Sequence, residues 1–367
     1  MTLYSKLRGI WESVLATKGL LEGVGVGLVG TGCAGARGPA VGELKCHRCA
    51  VCDGYGCPGL LPGLGGVFDN QNFMLNCEGW GLLRGRVAAC GRSKELEAVS
   101  VSAAQLRCGP VTGAVENIGY ENEADFYLPY LQNAALAGFG LCVGDGCPDE
   151  KLKLGVEAVR LLLTEGVGKP AGASAASSVS AAGLCAPKTA AFAAGELPIN
   201  AAFFLKPYPQ DRLFERIEWV KPYASYIGID IDSFNILTMR NLVNLERKTA
   251  EQLEEFRRRS GLPFVIKGVF TDQDLALVKE VRPDVVYISN HGGRVETRIG
   301  STAEFLALHA AALKDYCGQI WVDGGIRSKL DVQTALYYGA DQVIAARPLI
   351  RASFDNCYEE AVKALLK

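Results

Sequence analysis

Histidine is scarce in this chain, with three in 367 residues: His47, His291 and His309. Any reaction that needs a neutral side-chain base near pH 7 has few candidates to draw on. An excess of either charge is lacking too. The 38 Lys and Arg against 40 Asp and Glu leave a net charge of −2, with no basic block, which argues against nucleic acid as a partner. Long apolar runs are missing as well. The stretch 19–30 is apolar but glycine-rich, is interrupted by Glu22 and is too short to span a bilayer. The basic residues before it and Cys33 after it make only a faint lipoprotein-type signal, because the run comes late and carries a charge. A cytoplasmic protein is therefore expected. Gly25, Gly27 and Gly30 have the spacing of a dinucleotide loop, but no strand precedes them and no acidic residue suited to a ribose follows.

Cysteine is abundant by contrast, at 13 residues. Without a clear secretory signal, reduced thiols or metal ligation are favoured over a disulfide framework. Cys46, Cys49, Cys52 and Cys57 are spaced C-x2-C-x2-C-x4-C. Such thiolates can close around an iron–sulfur cluster or a tetrahedral zinc, while packed reduced thiols or a local disulfide fit the same spacing.

The chain is otherwise patterned as alternating strands and helices. An amphipathic helix is expected at 5–17, a Gly-rich loop at 62–76, a hairpin or extended cover at 87–101 and a loose Ala/Ser/Gly-rich loop at 170–184. Strands are expected at 106–112, 139–143, 201–205, 226–231, 262–268, 286–290, 320–323 and 341–346, with helices such as 150–163, 271–281 and 329–338 between them. Repeated βα units imply a parallel sheet, and eight of them an α/β (β/α)8 TIM barrel over 101–367, capped by the Cys-rich N-terminal extension at 1–100. The polar residues fall just past the strand ends, on the face where such barrels keep their sites. Val286–Ile288 leads into Ser289-Asn290-His291-Gly292-Gly293-Arg294. Ile266 leads into Lys267-Gly268, and Val322 into Asp323-Gly324-Gly325-Ile326-Arg327.

In order and spacing these stretches resemble the FMN-dependent α-hydroxy acid oxidase and dehydrogenase family, lactate and glycolate oxidases among them, over about residues 240–350. The resemblance implies FMN lying across the strand C-termini. Its phosphate would meet Arg327 and the backbone N–H groups of Gly324, Gly325, Ala346 and Arg347. The family usually has glycine where Ala346 stands. Asp323 would take ribityl hydroxyls, and Pro110, Val111 and Thr112 would lie along the flavin ring. Gly144, Asp230 and Ser289 complete the cofactor set. Lys267 would stand at the flavin N1–O2 edge, where negative charge develops on reduction. His291 would be the base, by a hydride or a carbanion route, and Arg294 the carboxylate clamp. The implied substrate is a small L-2-hydroxy acid, and the family's habit implies a homo-oligomer.

The first half of the chain departs from this pattern. The family usually carries a Gln and a Tyr on strand three and a Thr on strand four. Here the corresponding stretches read Phe203-Phe204-Leu205-Lys206 and end near Asp230. Tyr208 and Tyr55 are candidate substitutes for the missing tyrosine. Two alternatives follow: a flavin- or metal-binding protein without hydroxy-acid turnover, serving electron relay or regulation, and a related flavin-barrel isomerase, which should lack the His–Arg pair. For the cysteine motif, elemental analysis of anaerobically prepared protein should find one zinc, or iron with sulfide. Neither metal above background returns these residues to packed thiols.

Overall fold

Strands of β-branched and aromatic residues buried on both faces need cover on both sides, and a ring of helices around a closed parallel sheet supplies it. The computed structural model describes residues 71–367 apart from 119, 168–198, 236–242, 296 and 356. The expected helix at 5–17, the cysteine motif at 46–57 and the loop at 170–184 lie outside the described residues.

The described chain opens with helices α1 (Gln71–Ala89) and α2 (Ser93–Glu97). Strands and helices then alternate. The first half runs β1 (Leu106–Cys108), α3 (Ala124–Leu136), β2 (Leu141–Gly144), α4 (Glu150–Glu165), β3 (Ala201–Leu205), α5 (Gln210–Val220), β4 (Tyr226–Asp230) and α6 (Ala250–Ser260). The second runs β5 (Phe264–Val269), α7 (Asp272–Val281), β6 (Val285–Ile288), α8 (Thr302–Leu313), β7 (Gln319–Val322), α9 (Lys329–Tyr337), β8 (Gln342–Ala345), α10 (Arg347–Asp355) and α11 (Tyr358–Leu366). The eight strands pair in parallel in the order β1-β8-β7-β6-β5-β4-β3-β2. A bridge between Arg107 and Gly140 joins β1 to β2 and closes the (β/α)8 barrel.

Alternation along each strand sorts side chains inward and outward. Cys142, Ala202, Phe204, Val265, Val285, Tyr287, Trp321 and Ile344 fill the inside, and the larger apolar cluster lies between strands and helices. Phe204 meets Tyr287 edge-on at 5.4 Å, and Trp321 meets Tyr226 likewise at 5.1 Å. Arg107 closes the lower end, its guanidinium 4.1 Å from the Trp321 ring and bonded to Asn200 Oδ1 at 2.8 Å.

Three expectations are corrected. The segment at 87–101 is not a hairpin: α1 runs through Ala89 and α2 follows. The loop expected at 62–76 likewise gives way to helix from Gln71. The three glycines within α1 obscured its buried stripe of Asn72, Phe73, Asn76, Gly79, Trp80, Leu83 and Val87, which follows helical spacing. Gly79 is required there for packing, since a Cβ would lie 2.7 Å from Ser301 Oγ. The first strand is also shorter than expected and ends at Cys108.

Two asparagines of α1 hold the loop that follows β6. Asn72 Nδ2 donates to the carbonyls of Val295 (2.6 Å) and Arg298 (2.8 Å), and its Oδ1 accepts from Gly300 N–H at 2.8 Å. Asn76 exchanges amide hydrogen bonds with Asn290 at 2.8 and 3.0 Å and accepts from Thr302 N–H at 3.0 Å. Replacing Asn76 by Ala strands the Asn290 amide and the Thr302 N–H. The expected loss is about 1–3 kcal/mol in urea denaturation; a loss below about 0.5 kcal/mol would show that water replaces the pair.

Candidate active site

Continuing the inward alternation past the strand ends places Lys206, Asp230, Lys267, Ser289 and Asp323 around the barrel mouth. Lys206, Asp230, Lys267 and Ser289 are buried and Asp323 is half-buried. Lys267 Nζ donates to Asp230 Oδ1 at 2.6 Å. The same carboxylate oxygen lies 3.6 Å from His291 Nδ1, and Asp232 Oδ1 lies 3.1 Å from it. Gly268 permits this approach, because a Cβ there would stand 2.6 Å from Asp232 Cγ. Across the mouth, Asp323 Oδ2 accepts from Tyr287 Oη at 2.8 Å and from Ser289 Oγ at 3.0 Å.

His291 adopts a left-handed backbone with φ 57°, a conformation costly for a side-chain-bearing residue. The loop over-determines it: His291 N–H donates to Ser289 Oγ at 3.2 Å, and Asn290 Oδ1 accepts from Gly293 N–H at 3.0 Å. Arg294 follows in the same loop.

Burial and charge set the protonation states. Burial pushes His291 well below its ordinary value, so the imidazole is neutral at pH 7. Burial works to raise Asp230, but Lys267, His291 and Lys206 outweigh it and hold its carboxyl well below the usual range. Burial and the charge of Asp230 push Asp232 well above the usual range. Burial works to lower Lys267, and Asp230, Asp232 and Asp323 more than restore its charge. Burial brings the Arg294 guanidinium down to about 10. Two buried carboxylate oxygens, Asp232 Oδ2 and Asp323 Oδ1, have no hydrogen-bond partner among the described residues.

The glycine- and arginine-bearing loops lie beneath α1. Arg327 Nη2 is 3.9 Å from Cys77 Sγ, the Arg347 guanidinium lies 4.6 Å from the Phe73 ring centre, and Trp80 Nε1 donates to Gly324 O at 2.8 Å. Gly325, at φ 76°, passes so close to α1 that a Cβ would lie 1.9 Å from the Asn76 carbonyl. On the other side, Pro110, Val111 and Thr112 run past the end of β1, with the Pro110 carbonyl 2.6 Å from where a Cβ of Gly144 would be. Ala346 is accommodated because Gly109 opposite it has no side chain; a Cβ there would lie 2.5 Å from that of Ala346.

The structure thus brings His291, Lys267, Asp230, Ser289 and Asp323 into one buried mouth. Gly324, Gly325, Arg327, Ala346 and Arg347 stand in the adjoining loops, and Pro110, Val111, Thr112 and Gly144 flank the β1–β2 side. Cys46, Cys49, Cys52, Cys57 and Tyr55 lie outside the described residues. Tyr208 is no substitute for the missing tyrosine. Its ring is covered by Arg216 at 4.1 Å and its hydroxyl turns to Gly146 O at 3.5 Å. Sequence reasoning gave no role to Asp232, Lys206 or Tyr287, although each lies on the inward parity of its strand. The Asn72 and Asn76 anchors carry no local sequence signal.

Comparison with known proteins follows the same lines. The FMN-dependent dehydrogenase family matches residues 228–363. The chain is 36% identical over 127 residues to the L-lactate dehydrogenase (cytochrome) of Saccharomyces cerevisiae, covering 32% of this chain and 21% of that protein. It is 34% identical over 100 residues to 2-hydroxyacid oxidase 2 of Bos taurus, covering 27% and 28%. It is 35% identical over 125 residues to the L-lactate oxidase of Lysinibacillus sphaericus, covering 32% and 31%. The aligned region thus spans about a fifth to a third of these relatives' lengths. A solved mandelate oxidase matches in fold with a TM-score of 0.52 at 20% identity, over 71% of this chain and 72% of that one. Among the described residues no helix is long and apolar enough to cross a membrane.

Asp230→Ala leaves the Lys267 ammonium buried and unpaired. It should cost about 3–5 kcal/mol in chemical denaturation, whereas a loss under about 1 kcal/mol would mean that solvent reaches Lys267.

Proposed function

We propose, from the premise that residues 228–363 belong to the FMN-dependent dehydrogenase family, that this protein binds FMN and oxidises a small 2-hydroxy acid to the 2-oxo acid. The observation that carries the reading is a neutral, buried His291 backed by Asp230 and Asp232, with Arg294 in the same loop.

The residues fit FMN. Asp323 Oδ1 is a buried acceptor without a partner among the described residues, as a ribityl hydroxyl requires. Arg327 and Arg347 suit the phosphate, together with the backbone N–H groups of Gly324, Gly325 and Ala346. Lys267 suits the N1–O2 edge of the ring, with Ser289 and Asp230 beside it, and Pro110, Val111, Thr112 and Gly144 supply a close backbone wall. FMN, when bound, accepts the α-hydrogen and two electrons.

Arg294 holds the substrate carboxylate in a bidentate fork, which fixes the α-carbon. His291 Nδ1 faces Asp232, so Nε2 is the atom left to take the hydroxyl proton. The imidazolium formed is stabilised by the Asp230 and Asp232 carboxyls, and its proton returns to solvent after the 2-oxo acid leaves. A second reading, a flavin protein without hydroxy-acid turnover, draws on the stretch Phe203-Phe204-Leu205-Lys206, which lacks the Gln and Tyr that the resemblance leads one to expect.

Adding L-lactate or glycolate to the yellow protein without oxygen should bleach the flavin. Failure to bleach favours the second reading, and protein that takes up no FMN removes both. His291→Ala should keep FMN and slow bleaching by about 10²–10⁴-fold; reduction at the parent rate would remove His291 as base. Arg294→Lys should weaken substrate binding, because an ammonium cannot form the fork. Because burial lowers the His291 pKa, its base form persists as pH falls, and the acid limb of the reduction rate should lie below 6.5. A limb centred at or above 6.5 would contradict a buried neutral imidazole.

A further inference from the structure

Lys206 has no role in the proposed chemistry, yet it occupies the barrel mouth. It follows β3 on the parity of Ala202 and Phe204, both of which point into the barrel. It is 5% exposed. Among the described residues its ammonium makes no hydrogen bond or ion pair, whereas its backbone N–H donates to Asp145 Oδ2 at 3.2 Å and its carbonyl accepts from Tyr208 N–H at 2.7 Å.

The nearby carboxylates are already committed. Asp145 accepts from Arg216 Nε at 3.0 Å and from Gly146 N–H at 2.8 Å, and Asp230 accepts from Lys267. A buried ammonium without a contact partner is costly, and its cost is offset when an anion enters beside it. Burial already lowers its proton affinity, and the neighbouring Lys267 lowers it further, while Asp230 and Asp145 act in the opposite sense.

The ring order shows where that anion would sit. β3 and β6 are three strands apart in the eight-stranded barrel, with β4 and β5 between them. Lys206 therefore stands across the mouth from the His291–Arg294 loop, with Asp230 and Lys267 between. A substrate whose α-carboxylate is clamped at Arg294 would direct its other end toward Lys206. A methyl or a hydrogen there, as in lactate or glycolate, would leave the ammonium without a counter-charge.

We propose that Lys206 is a specificity-determining residue that takes the distal carboxylate of a 2-hydroxy dicarboxylic acid. This inference rests on the hydroxy-acid reading above and deepens it. Lysine suits the role because its compact ammonium on a flexible stem can follow a carboxylate at the end of a short carbon chain.

The test uses the full chain loaded with FMN. Calorimetry would compare the unreactive 2-oxo acids pyruvate and 2-oxoglutarate, and anaerobic flavin bleaching would compare L-lactate with L-malate. The dicarboxylates should bind at least about tenfold more tightly, the value of one charge-assisted hydrogen bond. Lys206→Met should bring the ratio of the two affinities toward one, and Lys206→Arg should preserve the preference. A wild-type protein without preference overturns the proposal, as does a Lys206→Met variant that keeps its preference. If Lys206→Met does not fold, the wild-type preference and the Lys206→Arg result decide. If neither hydroxy acid bleaches the flavin, the oxidase reading fails, while the calorimetric ratio still decides Lys206.

Discussion

The Asp230–Lys267 ion pair sets the character of the barrel mouth. Two opposite charges at 2.6 Å, both buried, persist because each removes the other's desolvation cost. Asp230 is held well below the usual carboxylate range, while burial and the field of Asp230 push the Asp232 carboxyl upward, so two aspartates two residues apart are shifted in opposite directions. The same carboxylate stands within reach of His291, whose burial keeps it neutral until a proton arrives. The apolar plug of Phe204, Tyr287 and Trp321 beneath keeps water from the lower side of the pair.

The legible part of the sequence was the part whose physics is local. β5 through β8 are short apolar runs that end in polar residues, so strand type, direction and the functional face could all be read from adjacent residues. Lys267, Ser289, His291 and Asp323 stand directly at the ends of those runs, and their grouping with Asp230 into one site came from the family resemblance. The helix over 71–89 was not legible, since Gly79, Gly81 and Gly85 mimic a loop. Gly79 is present because Ser301 lies against it, a residue more than two hundred positions away. Lys206 and Asp232 could have been found by carrying the strand parity past the last apolar residue. That step requires knowing where the strand ends, which the sequence marks poorly.

The departures from the family pattern are coupled. In place of the Gln, Tyr and Thr that the resemblance leads one to expect, strand three runs into Phe203-Phe204-Leu205-Lys206 and strand four ends near the charged Asp230. A lone carboxylate or a lone ammonium introduced into this mouth would be destabilising. Together with Lys267 the charges largely compensate, leaving the Lys206 ammonium without a hydrogen bond or ion pair among the described residues. Ala346 shows the same compensation in steric terms, because its methyl group occupies the space left by Gly109.

The Asn76–Asn290 pair joins residues 214 positions apart. Contacts of that sequence separation carry a large loop-closure entropy, which is recovered only when most of the chain between them is in place. The left-handed turn at His291 is held by the loop's own hydrogen bonds and, through Asn290, by this distant contact. The reactive loop therefore depends on α1 for its support: a chain whose barrel is closed lacks the far side of its mouth wherever α1 is not docked.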